Sequence, residues 1–185
     1  SSWSRRVTRP VVIHSQVTRR DQLEAYQRLG IFPSFFAEHT FYWGDWHRDE
    51  TLGPDRGAFI SPTAAAEHLK IRFSLHTDAP VVPPSAMHAW WSAVNRTTRS
   101  GKVLGPDQRI SPETALKALT IWPAWQHFDE AIKGSITPGK YADFVVLDAD
   151  PTRIDPARIK DVKVLMTIKE GQVIYDLGRT KNVRA

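Results

Sequence analysis

Residues 73–81, Phe73-Ser-Leu-His-Thr-Asp78-Ala-Pro-Val81, are where this chain most plainly offers chemistry. A short apolar run of Ile71, Phe73 and Leu75 stops at His76, Thr77 and Asp78. A buried strand that delivers a carboxylate to its C-terminal end has this pattern. A second apolar run, Val11-Val12-Ile13, stops the same way at His14. An imidazole and a carboxylate at two strand ends are metal-type ligands, and the chemistry such a pair serves is activation of water by a divalent cation. The plainer alternatives are an Asp78 that caps a turn before Ala79-Pro80 and a His14 satisfied by a backbone carbonyl in the core.

The elements that must position these groups follow from periodicity. Pro10 suits the first residue of a strand because it lacks a donor. The strand at Val11–Ile13 is followed by a helix opened by Thr18-Arg-Arg-Asp21 as a capping-box variant, with Leu23, Tyr26 and Leu29 at helical spacing. Gly30 closes it, and Ile31–Phe36 is the next strand. Strand, helix and strand at these lengths predict a parallel βαβ unit. Residues His39 to Ser61 read as a long aromatic-rich loop. Ser61-Pro62 reads as a helix start, Ile71–Leu75 as the third strand, and Pro83–Thr98 as a helix with Met87, Trp90, Trp91 and Val94 on one face. Ser111-Pro112 starts another helix. From Gly134 the texture turns to β, with strands at Phe144–Leu147 and Val162–Ile168 and a hairpin turn at Glu170-Gly171 into Gln172–Tyr175. A domain boundary falls near residue 133, giving units 1–133 and 134–185.

Composition narrows the partners. The 185 residues carry a net charge of +5 and no cysteine, so disulfides, thiolate chemistry and Cys-ligated metals are excluded. Lys and Arg are scattered rather than striped between aromatics, so nucleic acid is not an expected partner. The basic end, Arg179 to Arg184, reads as a solvated tail. No apolar run approaches the ~20 residues of a membrane helix, and no membrane partner is expected. The compartment stays open, with the cytoplasm preferred to the periplasm. The start, Ser1 to Arg6, has no initiator Met and suggests a piece of a longer protein.

Taken together, the residues resemble the C-terminal part of an amidohydrolase-superfamily enzyme of the YtcJ-like metal-dependent hydrolase branch. Gly134-Ser-Ile-Thr-Pro-Gly-Lys-Tyr-Ala-Asp-Phe-Val-Val-Leu-Asp148 resembles the family's re-entry into its small β domain. Thr167-Ile-Lys-Glu-Gly-Gln-Val-Ile-Tyr175 resembles its closing hairpin. Asp78-Ala-Pro-Val81 resembles the end of the last barrel strand. Ser34 to His39, with Leu52-Gly53 and Arg56, resembles the seventh strand and its loop. His14-Ser-Gln16 resembles the end of the sixth strand, where relatives usually have Glu-His-Ala-Gln; here Ile13 replaces the Glu.

The resemblance implies an α/β fold: the C-terminal portion of a (β/α)₈ TIM barrel, strands six to eight with their helices, followed by part of a small composite β-sandwich. It implies His14 and Asp78 as metal ligands, with Asp78 also taking the proton as metal-activated water attacks. One or two divalent ions, zinc first among them, would be held together with upstream residues absent from this chain, including a His-x-His pair. His39, Trp43 and His76 become substrate-binding candidates, although His39 also suits loop packing, and His76, which strand alternation puts on the same face as Asp78, also suits a supporting place behind the ligands. Tyr42, Trp43 and Trp46 suit either a pocket lining or loop packing. The resemblance leaves His47, His68, His88 and His127 to surface or structure. The implied reaction is hydrolysis of a C–N bond other than a peptide bond in a small-molecule substrate. The alternative is a binding or regulatory protein, of the kind described among relatives as an exoenzyme-production regulator, on the same scaffold. A parent roughly three times as long is expected from a full barrel plus sandwich. The chain alone is expected to be inactive and weak in metal affinity, and to cover its open sheet edge by self-association or strand exchange.

Overall fold

The computed structural model describes residues 8–182; the Ser1–Arg6 start lies outside them. Two three-stranded sheets organise the chain. The first is parallel, in the order β1 (Val11–His14), β2 (Phe32–Phe35), β3 (Ser74–Leu75). Val11 pairs with Phe32 and His14 with Phe35, while Ser34 pairs with Ser74. Helix α1 (Arg20–Leu29) makes the β1–β2 crossover and ends on Gly30 at φ 66°, a left-handed conformation that suits a residue without Cβ. The expected βαβ unit is therefore present. Its start lies one residue later than the capping-box spacing suggested. Arg19 N donates to Gln22 Oε1, and the Thr18 hydroxyl instead donates to Ser15 O.

The third strand is shorter than the Ile71–Leu75 run. The Phe32 N–H points to β1, donating to Pro10 O. Alternation then turns residue 33 toward β3. That residue is Pro33, which has no N–H, so the β2–β3 ladder forms only over Ser74 and Leu75.

The expected loop from His39 to Ser61 is helical. Helix α2 (His39–Trp46) runs into a π-helical turn at His47–Thr51 and then α3 (Gly53–Ala58). Gly44 and Gly57 lie inside these helices. A Cβ on Gly44 would lie 3.0 Å from Thr98 Cγ2, and one on Gly57 would lie 3.0 Å from Arg48 Cα. These glycines permit close packing rather than chain reversal. Asp45 fastens the segment to the same neighbour, accepting from the Thr98 and Ser100 hydroxyls at 3.0 and 2.8 Å.

Helix α4 (Thr63–His68) begins after Pro62, and Ser61 does not cap it. Ser61 sits at φ 45°, and its hydroxyl turns toward Phe36 O. Helix α5 (Ala86–Asn95) is shorter at both ends than expected and buries Trp90, Trp91 and Val94. Its last turn is followed by Arg96, fully buried, whose guanidinium donates to Leu104 O, Ser61 O and Ile60 O at 2.8, 3.1 and 2.7 Å. Burial pulls its pKa down to about 9, which still leaves it charged near pH 7. Helix α6 (Pro112–Leu119) starts as expected, with Ser111 Oγ accepting from Thr114 N, and α7 (Ile121–Gln126) follows.

The second sheet is antiparallel, in the order β4 (Phe144–Leu147), β5 (Val164–Lys169), β6 (Gln172–Asp176). Glu170 and Gly171, both at positive φ, turn the hairpin. The tail expected to be a solvated end opens with a short helix, α8 (Leu177–Asn182). A 3₁₀ segment at Pro156–Asp161 lies on α5, where Trp91 Nε1 donates to Ala157 O, and Ile159 joins the core of Leu23, Phe35, Phe73 and Trp91. Val145, Val173 and Ile174 remain exposed on the small sheet.

Replacing Arg96 by Met takes the donors from the buried Ile60 and Leu104 carbonyls, while Ser61 O keeps the Thr63 N–H. At about 1–3 kcal/mol for each unsatisfied group, the variant is expected to lose at least about 2 kcal/mol of stability. Ser111→Ala removes one cap and is expected to cost about 1 kcal/mol. Urea unfolding followed by circular dichroism measures both.

Candidate metal centre

The C-terminal ends of β1 and β3 meet over β2. His14 closes β1 at φ 67°, followed by Ser15 at φ 42°; Asp78 sits at φ 52°. Three non-glycine residues in the left-handed region mark local backbone strain at one place. Short bonds hold the β1 exit in shape: Ser15 N to Ile13 O at 2.9 Å and Thr18 Oγ1 to Ser15 O at 2.8 Å. The result turns the His14 ring toward the end of β3.

There His14, His76 and Asp78 each offer a ligand atom, and these atoms lie within 4.8 Å of one another. His76 Nε2 is 3.1 Å from His14 Nδ1, and Asp78 Oδ2 is 3.9 Å from His14 Nε2. The side chains of His14 and Asp78 each keep 40% of their exposure, so solvent reaches them. Below them, His76 Nδ1 contacts Ser34 Oγ at 3.0 Å, and Ser74 Oγ donates to Ser34 Oγ at 2.9 Å. Nothing in the spacing singled out Ser34 and Ser74. The only signal was a small polar residue at a matching place in two otherwise apolar strands.

A second group of rings stands beside this one. The His39 ring lies 6.3 Å from that of His14 and 4.4 Å from Phe36, with Trp43 at 5.2 Å and His47 at 5.7 Å. His47, to which spacing gave no role, also meets Gln16 Nε2 at 2.9 Å through its own Nε2. Trp43 therefore faces the histidines. Tyr42 leans toward His88, and Trp46 is more than half exposed beside His47. His88 itself pairs with the buried Glu38.

Three of these imidazoles, His39, His47 and His76, are held toward the neutral form. Burial, then the neighbouring His47 and His14 rings, hold the His39 pKa down to about 4 against the opposing pull of Asp78. Burial and His14 lower that of His76, and burial lowers that of His47. Neutral rings keep a lone pair for a cation. An imidazole with a carboxylate, and a second imidazole against the first, give the mixed nitrogen–oxygen surroundings that borderline divalent ions take. The residues present fit such an ion.

Comparison with known proteins agrees with this chemistry. A model described as "Amidohydrolase family" matches residues 2–175. The N-substituted formamide deformylase of Arthrobacter pascens is 35% identical over 106 residues, which is 57% of this chain and 20% of that protein. The YtcJ protein of Bacillus subtilis (strain 168) is 28% identical over 173 residues, 89% of this chain and 32% of that protein. Among solved structures, an uncharacterized metal-dependent hydrolase from Pyrococcus horikoshii OT3 superposes with a TM-score of 0.68 at 26% identity, covering 79% of this chain and 30% of that one. The chain thus spans a third or less of the length of these relatives.

The depressed His39 pKa has a consequence for stability. An unfolded histidine titrates near ~6.5. Above that pH neither state binds the proton. Below it the unfolded chain takes up a proton that the folded chain refuses until about pH 4. Stability therefore falls as pH is lowered from about 6.5 toward about 4. In His39→Phe, which keeps a ring beside Phe36, the drop in Tm between pH 7 and pH 5 is expected to be smaller than in the wild type. Equal drops would leave the effect to His47 and His76.

Proposed function

Since the chain belongs to the amidohydrolase family, we propose that it is the C-terminal part of a metal-dependent hydrolase acting on a C–N bond outside peptides. The single observation that carries this reading is the meeting of His14, His76 and Asp78 at the ends of β1 and β3. In it, β1, β2 and β3 are strands six, seven and eight of a (β/α)₈ barrel, and residues 134–185 are one share of a small β-sandwich. The parallel order, the α1 crossover and the sheet change after Gly134 support this assignment. The YtcJ-like relatives and the metal-dependent hydrolase superposition support the reaction class.

The roles then follow from position. His14 and Asp78 hold a divalent cation, with zinc the first choice for an imidazole–carboxylate set. Such a cation supplies a water nucleophile at neutral pH. Asp78 stands within reach as the base that accepts the proton, and its partial exposure keeps it accessible to solvent and substrate. His39, neutral and half-buried, contacts the substrate together with Trp43, whose ring walls the same side. The deformylase similarity favours a small amide of the substituted-formamide kind.

The free chain brings too few ligands for tight binding. Catalytic zinc sites use about three protein ligands plus solvent. The parallel sheet is open at β1, where Ile13 and Val17 are exposed, and the small sheet exposes Val173 and Ile174. Self-association covers such edges.

Elemental analysis and hydrolysis assays on the longer parent protein test the reading. The wild type is expected to carry a divalent metal and to hydrolyse amide-like substrates. Asp78→Ala is expected to lose activity by at least about 100-fold, the scale of a missing acid–base group. A metal-free, inactive parent would overturn it. The isolated 185-residue chain is expected to be inactive and, by sedimentation velocity, larger than a monomer; a strictly monomeric chain would count against the open-edge reading.

A further inference from the structure

A hydrogen-bonded run starts inside the parallel sheet and ends at the site. Ser74 Oγ donates to Ser34 Oγ, Ser34 Oγ meets His76 Nδ1, and His76 Nε2 meets His14 Nδ1. Both ring nitrogens of His76 are therefore engaged by protein. Among the described residues His14 Nε2 has only Asp78 Oδ2 at 3.9 Å, beyond hydrogen-bond length. The anchors are firm: Ser34 and Ser74 are Cα partners in the β2–β3 ladder, each 5% exposed.

A neutral imidazole has one donor and one acceptor nitrogen, so each contact in the run dictates the next. In one order Ser34 donates to His76, His76 donates to His14, and His14 carries its proton on Nε2, facing Asp78. In the reverse order His14 Nδ1 donates to His76 Nε2 and His76 Nδ1 donates to Ser34 Oγ. That oxygen has two lone pairs and still accepts from Ser74. His14 Nε2 then presents a lone pair toward Asp78. Each ring keeps one proton in either order, so the reversal moves no net charge.

We propose that His76 is the positioning residue for His14. Anchored by Ser34 and Ser74, it turns the His14 Nε2 lone pair toward a divalent cation without touching that cation itself. The free chain holds the outward order, because both buried serine hydroxyls and the His76 proton then have acceptors and the one proton left over, on His14 Nε2, faces solvent and Asp78; cation binding at His14 Nε2 reverses it. This inference rests on the reading of His14 as a ligand. It replaces a substrate contact for His76 with an orienting role, the task that the outer partners of metal-bound histidines perform.

The test uses the 185-residue chain labelled with ¹⁵N and titrated with zinc ion alone. Imidazole ¹⁵N shifts report the tautomer of each ring, and competition with a chromophoric chelator reports affinity. Without zinc, His14 and His76 are expected to carry protons on Nε2. With zinc, both are expected to switch to Nδ1, with the metal signature on His14 only. His76→Phe is expected to weaken zinc binding roughly 10- to 100-fold. In His76→Gln an amide oxygen accepts from His14 while the amide nitrogen donates to Ser34, and affinity is expected to recover at least in part. Ser34→Ala is expected to weaken binding and leave His76 a mixture of tautomers. Circular dichroism checks that each variant is folded.

A zinc signature on His76 itself would overturn the proposal. So would a Ser34→Ala chain with unchanged tautomers and affinity. If the wild-type chain binds no zinc yet its metal-free tautomers respond to Ser34→Ala, the positioning run is upheld and His14 as a ligand is what fails.

Discussion

One buried charge ties the strand-end loops together. The Arg96 guanidinium gives its protons to three backbone carbonyls and has no solvent exposure. Burying a cation is costly unless its donors are met, so the carbonyls of Ile60, Ser61 and Leu104 have no freedom to wander. Ser61 passes that constraint on, because its N–H donates to Gln16 O two residues beyond His14. Gln16 in turn contacts His47. The exit of β1, the segment before α4 and the π-helical turn are thus fixed relative to one another by a side chain remote from the chemistry.

That linkage explains what sequence reasoning reached and what it missed. Strand ends with chemical residues, the Gly30 stop and the Ser111-Pro112 start are local signals, and each is present in the structure. The family was legible from longer stretches, Gly134–Asp148 and Thr167–Tyr175 above all, and the α/β character from the strand–helix–strand spacing at the start. The helical character of residues 39–58 was not legible, because Gly44 and Gly57 answer to Thr98, Leu104 and Arg48, contacts that a local reading cannot see. Ser61 looked like a cap and is instead a partner of Arg96. His76 and Asp78 were expected on one face by strand alternation. The strand ends at Leu75, and the left-handed Asp78 sets its own direction.

Burial also sorts the histidines by charge state. His39, His47 and His76 are all held below the ordinary histidine range, and burial is the leading cause in each. Several imidazoles within a few ångströms would repel one another if charged. Kept neutral, they share hydrogen bonds and offer lone pairs instead. Phe36, stacked on the His76 ring and edge-on to the His39 ring, supplies much of the dry surface that makes this possible.

The close glycine packing of α2 and α3 bears on how molecules come and go. A segment that carries His39, Trp43 and His47 above a strand end has the location of a gate. Yet Gly44 rests against Thr98 and Leu104, Asp45 grips the Thr98 and Ser100 hydroxyls, and Gly57 against the Arg48 backbone ties the segment to itself. Swinging this segment outward would break its contacts with Thr98, Ser100 and Leu104 at once. It is a fixed wall rather than a lid. Entry and release have to run past its edge, over the half-exposed His14 and Asp78, and the pace of that traffic is set by whatever covers that edge rather than by a hinge within residues 39–58.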